Sequence, residues 1–130
     1  MPSREADWLR QAEADLRHAR NAQEDGDFEW SCFAAHQAAE KAVKAVYQAR
    51  HQDAWGHTVS TLLGSLSLTG ATELVEQAKV LDKHYVPTRY PNGFPSGAPT
   101  DFYTAAEAQE AVRIAEEIVE FCRHQVRSSD

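Results

Sequence analysis

The chain has 130 residues, the size of one ordinary domain, and 42% of them are hydrophobic, which is enough for one packed core. The formal net charge is −7, which argues against non-specific nucleic-acid binding, because such binding depends on many cationic contacts to phosphates. The longest uncharged run, between Asp53 and Glu73, is interrupted by three glycines and a histidine. A membrane span needs about 20 mostly apolar residues, so we expect a single domain over 1–130 outside the membrane.

The N-terminal segment mixes acidic and basic residues and lacks the apolar core of a secretion signal, so we expect a cytoplasmic protein. Cys32 and Cys122 lie in apolar helical patterns and are predicted to be buried free thiols. Neither the cysteines nor the histidines have zinc-binding spacing, and no phosphate-binding glycine loop or nucleophile elbow is present. We therefore expect neither a metal nor a cofactor.

Hydrophobic periodicity predicts an all-α fold of five helices without a strand, which we expect to pack as an antiparallel bundle. The first predicted helix spans about 3–24 and has one apolar stripe. The second, about 28–50, carries alanines on one side and a mixed stripe on the other. The members of this stripe are Phe33, His36, Gln37, Glu40, Lys41, Lys44 and Tyr47.

After a linker at 51–57, a short third helix is predicted at about 58–67 and a fourth at about 72–85. Four evenly spaced prolines predict a long loop without helix at 86–103, which its aromatic residues should pack against the domain. The last helix, about 105–127, begins at a capping box formed by Thr104 and Glu107. Its apolar face is unusually broad, which predicts burial on two sides, by the bundle or by a second subunit.

Two interpretations of the stripe on the second helix remain open. In one, His36, Gln37, Glu40 and Lys44 converge on a pocket or a partner groove. In the other, the stripe is a solvated helix face on which Glu40 and Lys44 form an i,i+4 ion pair. The pattern by itself favours the solvated face, although the aromatic Phe33 and Tyr47 within it count against that interpretation.

Arg50 and His57 could support RNA cleavage without a metal, since histidine transfers protons near neutral pH and arginine stabilises phosphate charge. The stronger alternative is that Arg50 complements the negative end of its helix.

Farther along, Lys83 and Arg89 could bind a nucleotide phosphate while Tyr85 or Tyr90 stacks on the base. An alternative is equally favoured: the cations would complement the negative C-terminal end of the fourth helix, and the tyrosines would fix the loop against the domain.

Four segments together resemble the HEPN domain family: WLRQAEADLRHA, FAAHQAAEKAVKAVYQA, the GH at 56–57 and the RYP at 89–91. The match runs from about Trp8 to the last helix, and its most specific part is Phe33 to Ala45. The resemblance implies a bundle of four or five helices that is usually a homodimer. Prokaryotic members often stand beside a minimal nucleotidyltransferase, and several such pairs are toxin–antitoxin systems.

Some members of that family bind nucleotides, and others are metal-independent ribonucleases in which an arginine precedes a histidine by a short interval near a late helix. This chain departs from the nuclease pattern, because only Arg50 and His57 fit the interval and they follow the second helix. We therefore predict a nucleotide-binding or accessory partner of a minimal nucleotidyltransferase in preference to an enzyme. A ribonuclease toxin that uses Arg50 and His57 ranks below it, and a non-enzymatic helical adaptor is the third hypothesis.

The resemblance also favours a shared structural or binding role for the stripe of the second helix. In the preferred hypothesis a nucleotide would meet three groups of residues. Phosphate contacts are predicted for Lys44, Lys83 and Arg89, base stacking for Tyr85 or Tyr90, and orienting or supporting polar contacts for His36, Gln37, Glu40 and Lys41.

Overall fold

A computed structural model describes residues 3–128, and every regular element in that range is helical. The helices are α1 (Glu5–Asp25), α2 (Phe28–Ala49), α3 (Val59–Ser65), α4 (Thr72–Asp82), α5 (Pro99–Phe102) and α6 (Ala105–Ser128), with a 3₁₀ turn at Pro91–Gly93. The predicted all-α bundle is confirmed. None of the helices in the described range is both long and apolar enough to cross a membrane.

A tight turn joins α1 to α2. Gly26 adopts φ 84°, a left-handed conformation that costs glycine little because it has no Cβ. The Asp27 backbone N–H then donates to the carbonyl oxygen of Ala22, which satisfies one of the free carbonyls at the end of α1. The chain therefore reverses within two residues and lays α2 along α1.

The central helix of the bundle is α2, against which α1 and α6 both pack extensively. Its alanine side is completely inaccessible to solvent at Ala35, Ala38, Ala39, Ala42 and Ala45. Small side chains allow neighbouring helices to approach closely, and interiors are packed to near-crystalline density. The alanine pattern therefore explains why α2 lies in the middle of the bundle.

The broad apolar face of α6 is buried within the chain itself, by α1, α2 and α4. Its buried set includes Ile114 on the flank of the face as well as Ile118 and Val119 at the centre. The predicted capping box is present, because Glu107 N–H donates to Thr104 Oγ1 at 3.1 Å and Thr104 N–H donates to the Glu107 carboxylate at 3.1 Å. Burial on two sides thus needs no second subunit, and the homodimer stays a prediction.

The proline-rich segment differs from its prediction in two respects. The fourth helix ends at Asp82 rather than near 85, and the segment contains α5, although its prolines were expected to exclude any helix. Pro99 is the first residue of α5, where the missing N–H would have had no helical partner. The segment packs on itself through stacked rings of Phe94 and Phe102, whose centroids are 4.8 Å apart.

Cys32 and Cys122 are both buried and unpaired, as predicted. Burial raises the pKa of each thiol to about 12, because the charged thiolate would lose its solvation. Both side chains therefore act as small apolar residues in the core.

Enlarging the alanine side of α2 should destabilise the bundle. We expect Ala39→Leu to lower the free energy of unfolding by about 1–3 kcal/mol, because a fully enclosed position has no room for the added atoms. Urea unfolding measures the change. Ala106→Leu, on the exposed side of α6, is the control and should remain within about 0.5 kcal/mol of wild type. An unchanged midpoint for Ala39→Leu would contradict close packing here.

Candidate functional site

The polar stripe of α2 is not a solvated face. Glu40 is only 6% exposed and His36 is completely buried. Lys44 Nζ donates to the Glu40 carboxylate at 2.9 Å, and His57 Nδ1 donates to the same carboxylate at 3.1 Å. Glu40 therefore joins its own helix to the loop that precedes α3.

His36 reinforces that junction. Its Nε2 donates to the backbone carbonyl oxygen of His57 at 2.8 Å, while the side-chain oxygen of Gln37 lies 3.0 Å from Nδ1. The turn before His57 requires a glycine, since Gly56 has φ 96°. His36 thus holds the backbone of His57 while Glu40 holds its ring, so the residue is fixed at two points, one on the main chain and one on the side chain.

The segment after α4 closes over His57. The ring of Tyr85 stacks on the imidazole of His57, with centroids 4.7 Å apart and planes 17° apart. It also contacts His36, with centroids 5.0 Å apart. Three distant parts of the sequence, α2, the loop before α3 and the end of α4, therefore meet around one tyrosine.

Arg89 lies on an aromatic surface at the edge of this junction. Its guanidinium carbon is 4.6 Å from the ring centroid of Phe33, 4.7 Å from that of Tyr85 and 5.3 Å from that of Tyr90. We call these four residues the Arg89 cluster. Rings at such distances attract a cation through their negative faces.

The guanidinium of Arg89 has most of its hydrogen-bonding capacity free. Its Nε donates to the carbonyl oxygen of Tyr85 at 2.8 Å, and no carboxylate within residues 3–128 forms an ion pair with it. A guanidinium carries five N–H donors. A cation that is held in place by rings and one carbonyl, without a counter-ion, is suited to bind an anion.

The structure brings most of the predicted site residues together, but it separates three cations from them. Lys41 forms an ion pair with Asp15 on α1. Lys83 is exposed and lines a different depression, together with Phe94, Phe102 and Glu107. Lys83 therefore lies apart from the Arg89 cluster. Lys41 lines a depression together with Phe33 of the cluster, but its charge is already paired with Asp15.

Arg50 is the third separated cation. It is exposed, ends α2, and donates through Nη1 to the carbonyl oxygen of Leu66 at 3.4 Å. His57 instead contacts Glu40 and Tyr85. Arg50 and His57, the two residues that fit the sequence interval of the ribonuclease alternative, therefore have separate partners. The arginine that packs on the same ring as His57, that of Tyr85, is Arg89.

Sequence reasoning missed the role of two residues. Phe33 was recognised only as an aromatic that a solvated face does not need, whereas it forms one wall of the Arg89 cluster. Trp30 was not singled out at all, although it is 49% exposed and meets Phe33 edge to face at 6.1 Å. Its spacing of three residues from Phe33 on one helix was the available signal.

The HEPN domain family model matches residues 6–125, nearly the whole chain, so this protein belongs to the HEPN family. No match was found among curated proteins. The family assignment confirms the resemblance carried by the α2 stripe, the GH turn and the RYP segment.

Three solved structures are similar along almost their full lengths. TT1696 from Thermus thermophilus is 46% identical with a TM-score of 0.89, over 95% of this chain and 99% of that one. ST0689, an archaeal HEPN homologue, is 37% identical with a TM-score of 0.81, and the match covers 97% of this chain and 99% of that one. An HEPN domain protein (tm0613) from Thermotoga maritima is 40% identical with a TM-score of 0.74, and the match covers 91% of this chain and 95% of that one.

Removing the central carboxylate should be costly. We expect Glu40→Gln to lower the free energy of unfolding by about 3 kcal/mol, because the Lys44 side chain, only 13% exposed, would lose its counter-ion. Chemical unfolding measures the loss. The double variant Glu40→Gln with Lys44→Met should recover part of it, since no buried charge is then left alone. A double variant that is less stable than Glu40→Gln would show that the pairing is not the cause.

His84 is a second buried histidine, and its burial should make the stability of the fold depend on pH. Burial lowers the pKa of His84 below its usual 6.5, and the Tyr103 hydroxyl lies 3.3 Å from its Nδ1. Below pH 6.5 the unfolded chain binds a proton there that the folded chain does not bind until its own lower pKa is reached. The free energy of unfolding should therefore fall as the pH is lowered from about 7.5 towards 5.

Unfolding curves across that pH range measure this effect. His84→Gln should show a shallower decline than wild type, because it removes the buried titrating group. The control is His18→Gln, which changes an exposed histidine and should leave the slope of the wild type unaltered. Parallel curves for wild type and His84→Gln would contradict the prediction.

Proposed function

We propose that this HEPN protein binds a nucleotide phosphate at the Arg89 cluster and acts as a non-catalytic partner of a minimal nucleotidyltransferase. The observation that carries the proposal is the guanidinium of Arg89, held on three rings without a carboxylate partner among residues 3–128. Its free N–H groups suit the oxygens of a phosphate. Tyr90, half exposed at the edge, offers a ring on which a base can stack.

The neighbouring residues support the site in different ways. Glu40 and His36 hold His57, and Lys44 is paired with Glu40. Because these three side chains are largely buried and already have partners, we assign them a supporting role in the proposed site and not a phosphate contact. His57 has a half-exposed side chain and stacks on Tyr85, a member of the Arg89 cluster. When its ring is protonated, His57 can donate a second hydrogen bond to the same anion through Nε2 while Nδ1 still donates to Glu40.

The net charge of −7 favours a small anion over a long nucleic acid. Acidic residues over the rest of the surface repel an extended phosphate backbone, whereas one arginine with a histidine beside it suffices for one phosphate group. A homodimer and a role in a toxin–antitoxin pair belong to the same proposal and rest on the family. A cytoplasmic location belongs to it as well and rests on the composition of the N-terminal segment.

A second candidate is a metal-independent ribonuclease, and one observation favours it. The Glu40 carboxylate accepts the Nδ1 proton of His57, an arrangement that fixes the tautomer and leaves Nε2 to act as a base. If this chain cleaves RNA, Arg89 is better placed than Arg50 to stabilise the phosphate, since Arg89 and His57 pack on the same ring.

Replacing Arg89 tests the proposed site. We expect Arg89→Gln to weaken the binding of nucleoside triphosphates by on the order of tenfold or more in calorimetry, because a charge-assisted contact to phosphate is lost. Arg17→Gln is the matched control, since Arg17 is exposed and forms no ion pair within the described residues. Equal affinities for the two variants would contradict the site.

An RNA-cleavage assay in EDTA on the same samples separates the two candidates. Nucleotide binding without cleavage supports the accessory role. Cleavage that is lost in both His57→Ala and Arg89→Gln, but not in Arg50→Ala, would establish the ribonuclease and overturn the non-catalytic proposal.

A further inference from the structure

A groove between α1 and α2 lies beside the candidate site. It consists of two open depressions of about 400 Å³ and about 230 Å³ that share His18 and Trp30. We call it the α1–α2 groove. Its wider part is lined by Asn21, Ala22, Asp25 and Asp27 and its narrower part by Asp15, Phe33, Ala34, Gln37 and Lys41.

The floor of this groove is aromatic and incompletely covered. Trp30 is 49% exposed and packs against Phe33 in a T-shaped arrangement, with ring centroids 6.1 Å apart. A large ring at half exposure, held by a neighbouring ring, is the kind of residue that dominates the energy of protein–protein contacts. Trp55 is even more exposed, at 85%, but lies in the loop before α3 and lines neither of these depressions.

The wider end of the groove carries carboxylates that have no ion-pair partner among residues 3–128. Asp25 and Asp27 form no ion pair with any residue in 3–128, and Glu24 and Glu29 flank them in the sequence, likewise unpaired in that range. At the narrower end the charges are already matched, because Lys41 pairs with Asp15. The groove therefore combines an exposed aromatic ring with carboxylates that, within the described part of the chain, lack an ion-pair partner at one end only.

We propose that the α1–α2 groove binds a basic segment of a different protein chain, in which an apolar side chain contacts Trp30 and flanking Lys or Arg side chains pair with Asp25 and Asp27. An arginine of this segment can also lie on the indole of Trp30, a geometry that favours a cation. An elongated open groove accommodates a peptide segment more readily than a compact small molecule, which buries most of its surface in an enclosed pocket.

Charge excludes two other occupants. A second copy that docks symmetrically would bring Asp25 and Asp27 of both copies to the same interface, in a protein whose net charge is already −7. A nucleic acid would place phosphates against the same carboxylates. The groove and the Arg89 cluster share only Phe33, so a bound segment would lie next to the proposed anion site, although this inference does not depend on that site.

The test uses the whole chain and a labelled synthetic amphipathic peptide with one leucine among several lysines and arginines. Fluorescence anisotropy measures its binding, with two control peptides: one with glutamates in place of the basic residues, and one with serine in place of the leucine. We expect saturable binding of the first peptide only, weakened by added salt.

Matched variants locate the bound peptide. Asp25→Asn with Asp27→Asn should weaken binding about three- to tenfold, whereas Asp53→Asn with Glu73→Gln changes the net charge equally at exposed sites elsewhere and should have little effect. Trp30→Ala should weaken binding by on the order of tenfold or more, whereas Trp55→Ala should not.

Three results would overturn the proposal. The first is a failure to find a localised site: either the peptide does not bind saturably, or the two charge variants weaken its binding equally, as non-specific attraction would. The second is a dimer of the free protein that Trp30→Ala dissociates in sedimentation, since a second copy would then occupy the groove. The third is displacement of the peptide by a single-stranded RNA in wild type but not in Trp30→Ala, which would assign the groove to nucleic acid.

Discussion

The buried carboxylate of Glu40 is the interaction on which the candidate site depends. A carboxylate inside a helical bundle is tolerated only when its charge is matched and its oxygens accept hydrogen bonds. Lys44, one turn later on α2, provides the charge, and His57 provides a hydrogen bond from outside the helix. The requirement of one buried charge therefore fixes the loop between α2 and α3.

The same interaction extends to the far side of the site through ring contacts. Once His57 is held by Glu40 and His36, its imidazole offers a flat surface for Tyr85, and Tyr85 in turn supports Arg89. Residues at 36, 57 and 89 thus depend on one another although no short-range motif connects them. Helix α2 has two functions in this arrangement: its alanine side builds the core, and its polar side positions the site.

The local charge of the site contrasts with that of the whole protein. The chain has a net charge of −7, yet Arg89 lies on aromatic rings and has no ion-pair partner among residues 3–128. The adjacent α1–α2 groove carries carboxylates that likewise have no ion-pair partner in that range. Phe33 belongs to both surfaces. Opposite electrostatic preferences therefore lie side by side on α2, which suits a protein that meets a small anion and a basic partner at neighbouring positions.

The sequence by itself determined the order of α1 to α4 and α6, but not α5, because periodicity and capping act over a few residues. The bounds of α1, α2 and α6 agree with prediction to within about two residues. It also indicated the stripe of α2, but it favoured solvation there, since an i,i+4 pair of Glu40 and Lys44 has the same pattern whether it is exposed or buried. Only the tertiary structure decided that this pair is buried and that the partner of His57 is Glu40 instead of Arg50. It also decided that Lys83 lies apart from Arg89. Such choices depend on loops of many residues, whose ends are brought together by packing and not by any local preference of the chain.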